Sequence, residues 1–324
     1  MTNAKKKYSD LSSLALDLGF TGKELYTVSN AITRYYLEVA IPKSNGETRT
    51  LHVPSGMLKM IQTSIARVLL PKVPVSRYAC AYKPGASAVK NAMPHVGAPI
   101  VLKLDIRKFF DHIIFPIVKE KAFPEKMFAE KLRILLTILC IYKEALPQGS
   151  PASPGISNII MRDFDDKVGG WCAERGIAYT RYCDDMTFSG DFDPKPVKDL
   201  VRNELRKMGF FLNDAKTVVA HDGMRKQVCG IVVNERPSVP KDYIKKIRQE
   251  IYYIRRYGLA SHLKRTNPGV DPVNYINSLS GRIRYSIYVS KASDRCADPE
   301  LSGYLDVIKK EMDILAGRDY RDRT

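Results

Sequence analysis

The stretch RYCDDMTFSG, residues 181–190, places two adjacent carboxylates, Asp184 and Asp185, in an otherwise apolar segment. Short β-prone runs, IAYT and MTFSG, lie on either side of YCDD, and they predict a hairpin over residues 177–190 with the aspartates at its tip. Two like charges repel each other, and a buried carboxylate is costly unless it is neutralised. Adjacent aspartates also occur in ordinary surface turns. We expect Asp165–Asp166, which falls in an amphipathic helical stretch, to be such a solvated pair.

A third acidic residue, Asp105, ends the apolar stretch IVLKLD, residues 100–105. Three carboxylates brought together need a strong counter-charge, and divalent cations supply one. Mg²⁺ prefers oxygen ligands together with substrate phosphates. Two such ions, about 3.5–4 Å apart, stabilise both the attacking and the leaving oxygen of an in-line phosphoryl transfer. Metal and a triphosphate would therefore explain why the chain tolerates the aspartate pair.

Composition favours a nucleic-acid partner. The chain has 324 residues, a formal net charge of +17 and 44% hydrophobic residues, so it combines a substantial core with a basic surface. Nucleic acid is the first expected partner and an acidic membrane surface the second, while the charge could also serve solubility alone. The six cysteines form no CxxC pair, which argues against a zinc finger. No secretory signal follows the N-terminal MTNAKKKYSD, and the apolar run at 134–142 is too short to span a bilayer, so we expect a soluble, cytoplasmic protein.

Periodicity and turn residues indicate an α+β body followed by a basic helical region, with a boundary near Pro237 and Pro240. The predicted elements are short helices in 9–30, two strands in 41–54 around a turn at 44–46, a helix over 56–72, loops in 71–99, a strand ending at 106, helices over 124–142, 152–176 and 195–208, strands over 216–220 and 227–234, and a helix over 240–258. Ser153 is the expected N-cap of the 152–176 helix.

Four ordered blocks carry a family resemblance: LKLDIRKFFDHI (102–113), LPQGSPASPGISN (146–158), YTRYCDDMTFSG (179–190) and GFFLNDAKT (209–217). The chain resembles reverse transcriptases, whose YxDD turn is present as Tyr182–Asp185. The resemblance implies an α+β right-hand polymerase. Its expected parts are an N-terminal helical arm (1–40), fingers (41–99 with part of 114–160), a palm with an antiparallel sheet (100–237) and a helical, RNA-binding thumb (238–324).

Two further motifs resemble those of bacterial retron enzymes. NAMPHVG (91–97) matches an NAxxH pattern through Asn91 and His95, and Val228–Gly230 stands where the family has V-T-G, with Cys229 replacing threonine. The resemblance implies copying of the protein's own structured noncoding RNA from the 2′-OH of an internal guanosine, a branched RNA–DNA product, and antiphage defence with an accessory effector. Alternatives are a group II intron or other prokaryotic reverse transcriptase, and an RNA-binding, effector-restraining protein whose polymerase is vestigial.

By resemblance, Asp105, Asp184 and Asp185 are the catalytic ligands of two Mg²⁺ ions, and dNTPs are the second substrate. Six residues are expected to bind the substrates. Lys43 and Arg49 would hold the triphosphate, Phe110 would act on the sugar as a gate against a 2′-OH, and Gln148 would lie against the nucleotide. Cys183, with Tyr182, would line the floor under the primer end, and Lys216 would act as a general acid toward the leaving pyrophosphate. Each of these residues could instead have an ordinary structural role. Phe110 could be a core phenylalanine, and Lys43 and Arg49 could be solvated surface charges.

RNA binding is expected at Asn91 and His95, through the subtype motif, and on the basic helix 240–258. There the cations Lys245, Arg248, Arg255 and Arg256 alternate with Tyr252, Tyr253 and Tyr257, a pattern that suits phosphate contacts and base stacking. A satisfied structural histidine and a merely solvated helix face are the alternatives.

Overall fold

The computed structural model describes residues 8–42, 46–292 and 299–321, and it confirms the predicted mixture of helices and antiparallel strands. The described residues form two compact units. The first contains the residues up to Ala86 together with Leu102–Val219; the second contains Ser87–Val101 and the residues from Ala220 onward. The proposed division into arm, fingers, palm and thumb stays a prediction. Within the described ranges, no helix has the length and apolar character needed to cross a membrane.

The α-helices of the described residues are α1 (Leu11–Leu18), α2 (Gly22–Asn30), α3 (Gly56–Ser64), α4 (Ala88–Ala92), α5 (Phe115–Ala122), α6 (Glu130–Cys140), α7 (Ser153–Ile160), α8 (Arg162–Ala173), α9 (Pro194–Lys207), α10 (Lys241–Tyr257), α11 (Leu259–Thr266), α12 (Pro272–Lys291) and α13 (Pro299–Arg321). The strands are β1 (Tyr36–Pro42), β2 (Thr48–Pro54), β3 (Ile100–Asp105), β4 (Ala178–Tyr182), β5 (Asp185–Gly190), β6 (Val218–Ala220), β7 (Gln227–Val228) and β8 (Ile231–Val232).

The centre of the first unit is a four-stranded sheet in the order β4-β5-β3-β6. Its core-facing side chains, such as Phe188 and Met186, are fully buried against helices that include α7 and α8. A loop segment covers the outer edge of β4: the Arg181 N–H donates to the Tyr78 carbonyl, and the Cys80 N–H donates to the Arg181 carbonyl. The sheet therefore presents the ends of β3 and β5 on a rigid, packed base.

Two predicted helices of this unit are shorter than expected. The 124–142 helix begins only at Glu130, because residues 127 and 129 exchange backbone hydrogen bonds with Tyr8, a partner distant in sequence. The 152–176 helix is two helices, α7 and α8, that meet at Met161. Ser153 is not the N-cap but the first helical residue, and its hydroxyl donates to the Pro147 carbonyl.

The other predictions in this unit are closer to the structure. The first hairpin strand begins earlier than predicted, at Tyr36, and pairs in register with β2 up to Pro54. The 56–72 helix forms, although its last turns widen into a π-helical turn at Ile65–Leu69 and then tighten. The helix predicted at 195–208 is α9, followed by Gly209 in the left-handed conformation that glycine favours at helix ends.

The second unit contains a small hairpin and a helical cluster. The predicted strand at 227–234 is instead the hairpin β7–β8, whose two turn residues, Cys229 and Gly230, both have positive φ. The helix α4 and a following turn lie within 88–95, where loops were predicted. The predicted basic helix forms as α10, and it packs Ile247, Ile251 and Ile254 against α11, α12 and α13.

Candidate active site

The hairpin predicted from RYCDDMTFSG forms as β4 and β5, with Tyr182 opposite Asp185 and a two-residue turn at Cys183–Asp184. Cys183 has φ +62°, a left-handed conformation that is uncommon for any residue with a Cβ. The turn therefore needs support from its surroundings. Cys183 is buried, Asp184 is half-buried and Asp185 is exposed, so the two carboxylates stand at the end of a packed hairpin.

Asp105 ends β3, the strand next to β5 in the sheet, and it is 5% exposed. The Ile106 N–H donates to the Asp184 carbonyl over 3.1 Å, which ties the two carboxylate-bearing segments together. The Asp105 carboxylate accepts hydrogen bonds from Asn213 Nδ2 at 3.0 Å and from Lys216 Nζ at 2.8 Å. Asp105 and the adjacent pair Asp184–Asp185, which are distant from it in sequence, thus line one cavity of about 530 Å³, and Asp111 lines the same cavity.

The electrostatics of this cavity are those of crowded acids. Partial burial, followed by the charge of Asp105, raises the pKa of Asp184. Partial desolvation, followed by the charge of Asp184, raises the pKa of Asp185. The hydrogen bond to Asp105 raises the pKa of Lys216, which keeps that ammonium charged. A salt bridge joins Lys216 to Asp105, and in the described part of the chain none is formed by Asp184 or Asp185.

The donor set suits a hard divalent cation. Carboxylate oxygens are preferred ligands of such ions, and a dication offsets both the desolvation and the repulsion that raise the two pKa values. Among the described residues, however, no three acidic, histidine or cysteine side chains lie close enough together to hold an ion as they stand. Lys216 and Asn213 occupy the Asp105 oxygens in this arrangement. Asp105, Asp184 and Asp185 would be the residues that hold metal here.

The same cavity brings together most of the predicted substrate-binding residues. Its lining includes Arg49, Phe110, Gln148, Cys183 and Lys216 in addition to the four aspartates. The Gln148 carbonyl accepts from the His52 N–H at 2.9 Å, which fastens the 146–150 loop to β2. The Phe110 ring is partly buried and packs edge-on against Phe109, with 5.4 Å between ring centroids. Lys43 lies outside the described residues.

Other lining residues were not predicted. Tyr82, Lys108 and Asn213 line the cavity, and Tyr82 and Lys108 both have positive φ. The Tyr82 ring lies near Tyr182, with 6.3 Å between centroids, and is half exposed. The sequence around Tyr82, AYKPGAS, is rich in turn residues and was interpreted only as a loop. Asn213 stands inside the GFFLNDAKT block, three positions before Lys216, and was the easiest of the three to find.

The prediction that Asp165–Asp166 is a solvated pair is wrong for Asp165. Asp166 is exposed on α8, but Asp165 is completely buried and accepts from Arg181 at 2.8 Å (Nε) and 2.6 Å (Nη2). Tyr179 also donates to Asp165 at 2.8 Å. A carboxylate can be buried when a guanidinium neutralises it and its lone pairs are satisfied. Arg181 stands three residues before Asp184.

In the second unit, the two subtype motifs lie against each other. Asn91 Nδ2 donates to Cys229 Sγ at 3.2 Å, so the NAxxH segment supports the turn of the β7–β8 hairpin. Asn91 is 1% exposed and His95 is fully buried, and burial lowers the pKa of His95 to about 4, which keeps the ring neutral. Both side chains are therefore buried in the second unit, and a contact of either with RNA stays a prediction.

The predicted RNA-binding cations of α10 divide into two groups. All four are exposed on the helix, and two of them, Arg248 and Arg255, also contact residues of α13. Arg248 forms a salt bridge of 2.6 Å with Glu300, and Arg255 lies 5.6 Å from the ring centroid of Tyr304. Tyr253 and Tyr257 stack on each other with centroids 6.2 Å apart, and both are exposed. Cations and aromatic rings therefore lie side by side on this surface, and its contact with RNA stays a prediction.

Comparison with known proteins identifies the family. Residues 41–275 match the family described as reverse transcriptase (RNA-dependent DNA polymerase). The chain is 30% identical over 270 residues to the retron Ec86 reverse transcriptase of Escherichia coli, covering 82% of this chain and 83% of that protein. It is 32% identical over 266 residues to the retron Mx65 reverse transcriptase of Myxococcus xanthus, covering 72% of this chain and 62%, less than two thirds, of that protein.

Similarity to solved structures is weaker. A telomerase of Candida albicans is 14% identical, with a TM-score of 0.47 over 87% of this chain and 64% of that one. A similarity of this size does not by itself establish a shared fold, so the assignment comes from sequence. The chain belongs to the reverse transcriptase family, and it is an RNA-dependent DNA polymerase of the retron type, a nucleotidyltransferase that depends on divalent metal ions.

Proposed function

We propose that the chain reverse-transcribes its own structured noncoding RNA, starting from the 2′-OH of an internal guanosine and producing a branched RNA–DNA hybrid. The observation that carries this proposal is the cavity in which Asp105, Asp184 and Asp185 meet, in a chain whose relatives are retron enzymes. We further propose, from the resemblance alone, a cytoplasmic role in antiphage defence together with an accessory effector protein.

The proposed metal is Mg²⁺, two ions, held by Asp105, Asp184 and Asp185. When bound, they would supply charge stabilisation to the attacking oxygen and to the leaving pyrophosphate oxygen. The attacking oxygen is the guanosine 2′ oxygen in the first addition and the 3′ oxygen of the growing strand in each later one. The reaction forms a bond between this oxygen and the α-phosphorus and breaks the bond from that phosphorus to the pyrophosphate oxygen. Little covalent chemistry falls to the protein, so positioning and charge dominate its contribution.

The cavity residues take the remaining roles in this proposal. Arg49 and Lys43 hold the triphosphate, and a guanidinium can do so with two parallel hydrogen bonds. Gln148 lies against the incoming nucleotide, while Tyr182 and Cys183 form the floor under the primer end. Lys216 donates a proton to the leaving pyrophosphate. Its presence in the lining and its raised pKa, caused by the hydrogen bond to Asp105, support a charged donor there.

Phe110 is the proposed gate against ribonucleotides. Its partly buried ring lines the cavity and is held by Phe109, which supports a fixed steric barrier where a 2′-OH would lie. Replacing Phe110 with valine is expected to let ribonucleotides be incorporated while deoxynucleotide incorporation persists. Primer extension with each nucleotide type measures this ratio, and an unchanged ratio would leave Phe110 as a packing residue.

RNA is proposed to bind on α10. Lys245 and Arg256 supply phosphate contacts, Tyr253 and Tyr257 supply stacking faces, and Arg248 and Arg255 join them from their positions beside α13. For Asn91 and His95, burial restricts the proposal to an indirect one, in which they keep the β7–β8 hairpin in shape for RNA.

The deciding experiment is sequencing of the nucleic acid that co-purifies with the protein when it is expressed together with its neighbouring DNA. The expected species is DNA joined to RNA through a 2′–5′ bond at a guanosine, absent from the Asp184→Asn variant. DNA without a covalent RNA would contradict the priming proposal. RNA alone from the parent protein, with no primer extension on an RNA template with dNTPs and Mg²⁺, would instead support the RNA-holding alternative.

A further inference from the structure

The buried ion pair Arg181–Asp165 is hydrogen-bonded to the Cys183–Asp184 turn. Arg181 is 0% exposed, and its guanidinium donates to both carboxylate oxygens of Asp165 at 2.6 and 2.8 Å. The remaining nitrogen, Nη1, donates to the Cys183 carbonyl at 2.8 Å and, over a longer 3.3 Å, to Asn158 Oδ1. A planar guanidinium whose orientation is fixed by a bidentate carboxylate has its third nitrogen fixed as well. The position of the Cys183 carbonyl is thus tied to helix α8.

The following carbonyl is held from the other side. The Asp184 carbonyl accepts from the Ile106 N–H at 3.1 Å, directly after Asp105. The peptide groups before and after Asp184 are therefore both anchored, one by Arg181 and one by the strand that carries Asp105. Fixing both peptide planes fixes the backbone dihedrals of Asp184, and with them the direction of its Cα–Cβ bond.

The turn needs such an anchor because Cys183 has φ +62°. A residue with a Cβ keeps this conformation only when its surroundings impose it. Stability does not explain the ion pair, since buried ion pairs are often no more stabilising than apolar residues of similar volume. An apolar pair, however, could not donate a hydrogen bond to the turn carbonyl.

We propose that Arg181, held by Asp165, is a positioning residue that sets the Asp184 carboxylate for metal binding and catalysis. The inference rests on the proposed role of the Asp105–Asp184–Asp185 cavity. It adds that Arg181 and Asp165 support this cavity through the backbone of the turn. Neither Arg181 nor Asp165 lines the cavity. Both act through the Cys183–Asp184 peptide.

The test uses an apolar replacement that avoids a buried unpaired charge. The triple variant Arg181→Met, Asp165→Leu, Tyr179→Phe removes the pair together with the Tyr179 hydroxyl that bonds to it. It is expected to melt within about 10 °C of the parent protein, because apolar packing replaces the pair while the Cys183 carbonyl and Asn158 Oδ1 each lose a donor. Its rate of primer extension on an RNA template is expected to fall by about 10- to 100-fold, the usual cost of losing a residue that orients a metal ligand.

A second readout separates positioning from general loss of structure. The Mg²⁺ concentration for half-maximal rate should rise in the triple variant, and the increase in melting temperature on adding Mg²⁺ should shrink. Arg181→Lys, which keeps the charge but cannot hold both Asp165 and the Cys183 carbonyl, should behave in the same way. A triple variant with parental rate and parental Mg²⁺ response would overturn the proposal.

Matched controls complete the design. Arg133 on α6 is also buried, at 4% exposed, and donates to the Phe123 carbonyl and to Glu120 and Glu130, but it does not line the cavity or contact the turn. Arg133→Met should lower the melting temperature without moving the Mg²⁺ midpoint. Tyr179→Phe alone should match the parent rate. If Asp184→Asn itself stays active, the cavity assignment fails; if only the triple variant stays active, the positioning role fails.

Discussion

Asp165–Asp166 on α8 and Asp184–Asp185 on the β4–β5 hairpin are the same dipeptide in two settings. In the first, one carboxylate faces solvent and the other is buried, where Arg181 neutralises it with two hydrogen bonds. In the second, the carboxylates share a cavity with Asp105, and the pKa of each is raised by desolvation and neighbouring acids. The protein supplies its own counter-charge to the first pair, whereas the second is suited to a cation from outside. The two pairs therefore differ in whether a side chain of the fold already neutralises them.

The largest expected effect is on activity. Asp184→Asn should lower the rate of primer extension by about ten-thousandfold or more, equivalent to over 5 kcal/mol of barrier, because a metal-ligand charge is removed from the reacting centre. The matched control is Asp166→Asn in the other pair, which should polymerise at the parent rate. Equal losses in the two variants would erase the distinction between the pairs.

The next largest expected effect is on stability, and here the sensitive residue belongs to the Asp165–Asp166 pair. Asp165→Asn leaves Arg181 buried without its counter-charge, so the free energy of unfolding should fall by about 3–5 kcal/mol. Asp166→Asn, at an exposed position that keeps an acceptor for the Ser76 hydroxyl, should change it by less than about 0.5 kcal/mol. Urea denaturation measures both, and a stable Asp165→Asn protein would mean that Arg181 finds another partner.

The gain in stability on adding Mg²⁺ should also distinguish the two aspartate pairs. At a Mg²⁺ concentration about 100 times the dissociation constant, the parent protein should gain about 2.7 kcal/mol of stability. Asp166→Asn should gain as much, and Asp184→Asn should gain far less. Thermal unfolding with and without Mg²⁺ distinguishes these cases. A full gain in Asp184→Asn would place the ion elsewhere.

The smallest expected effect concerns pH in metal-free protein. Because the pKa of Asp184 is raised on folding, its protonated form contributes stability that is complete below the unfolded value, about 3.9, and is lost as pH rises through the folded value. Asp184→Asn lacks this titration, so it should match the parent near pH 4 and become the more stable protein toward pH 7. A gap that stays constant with pH would contradict the raised pKa.

Local patterns predicted the hairpin, its acids and the strand ending at Asp105, because alternation, turn length and apolar runs are read from neighbouring residues. They could not predict Asp165. It adjoins Phe164 at the margin of the buried face of α8, and its neutralisation depends on a guanidinium from β4. The late start of α6 has the same origin, since Tyr8 takes the backbone groups of residues 127 and 129. The predictions for Asp165 and for the start of α6 both failed because the contact partner is distant in sequence.

The positions of the cavity residues were predictable only through family resemblance. Arg49, Phe110 and Gln148 occur in separate blocks, and nothing in their local sequence states that they face one another. Burial of Asn91 and His95 was likewise hidden, because the NAxxH motif looks polar until the β7–β8 turn covers it. The residue spacing identified the NAxxH motif but did not show whether its side chains face the solvent or the interior.

The loop segment along β4 has a consequence for assembly. Through Tyr78 and Cys80 it occupies backbone groups that an outermost strand would otherwise offer to another chain, and the opposite border of the sheet, β6, is only three residues long. Addition of a strand from another chain to this sheet is therefore hindered at the β4 edge, where the loop lies, and disfavoured at the β6 edge, which is short. Another chain is therefore not expected to associate through this sheet, which leaves the strands that carry Asp105, Asp184 and Asp185 undisturbed.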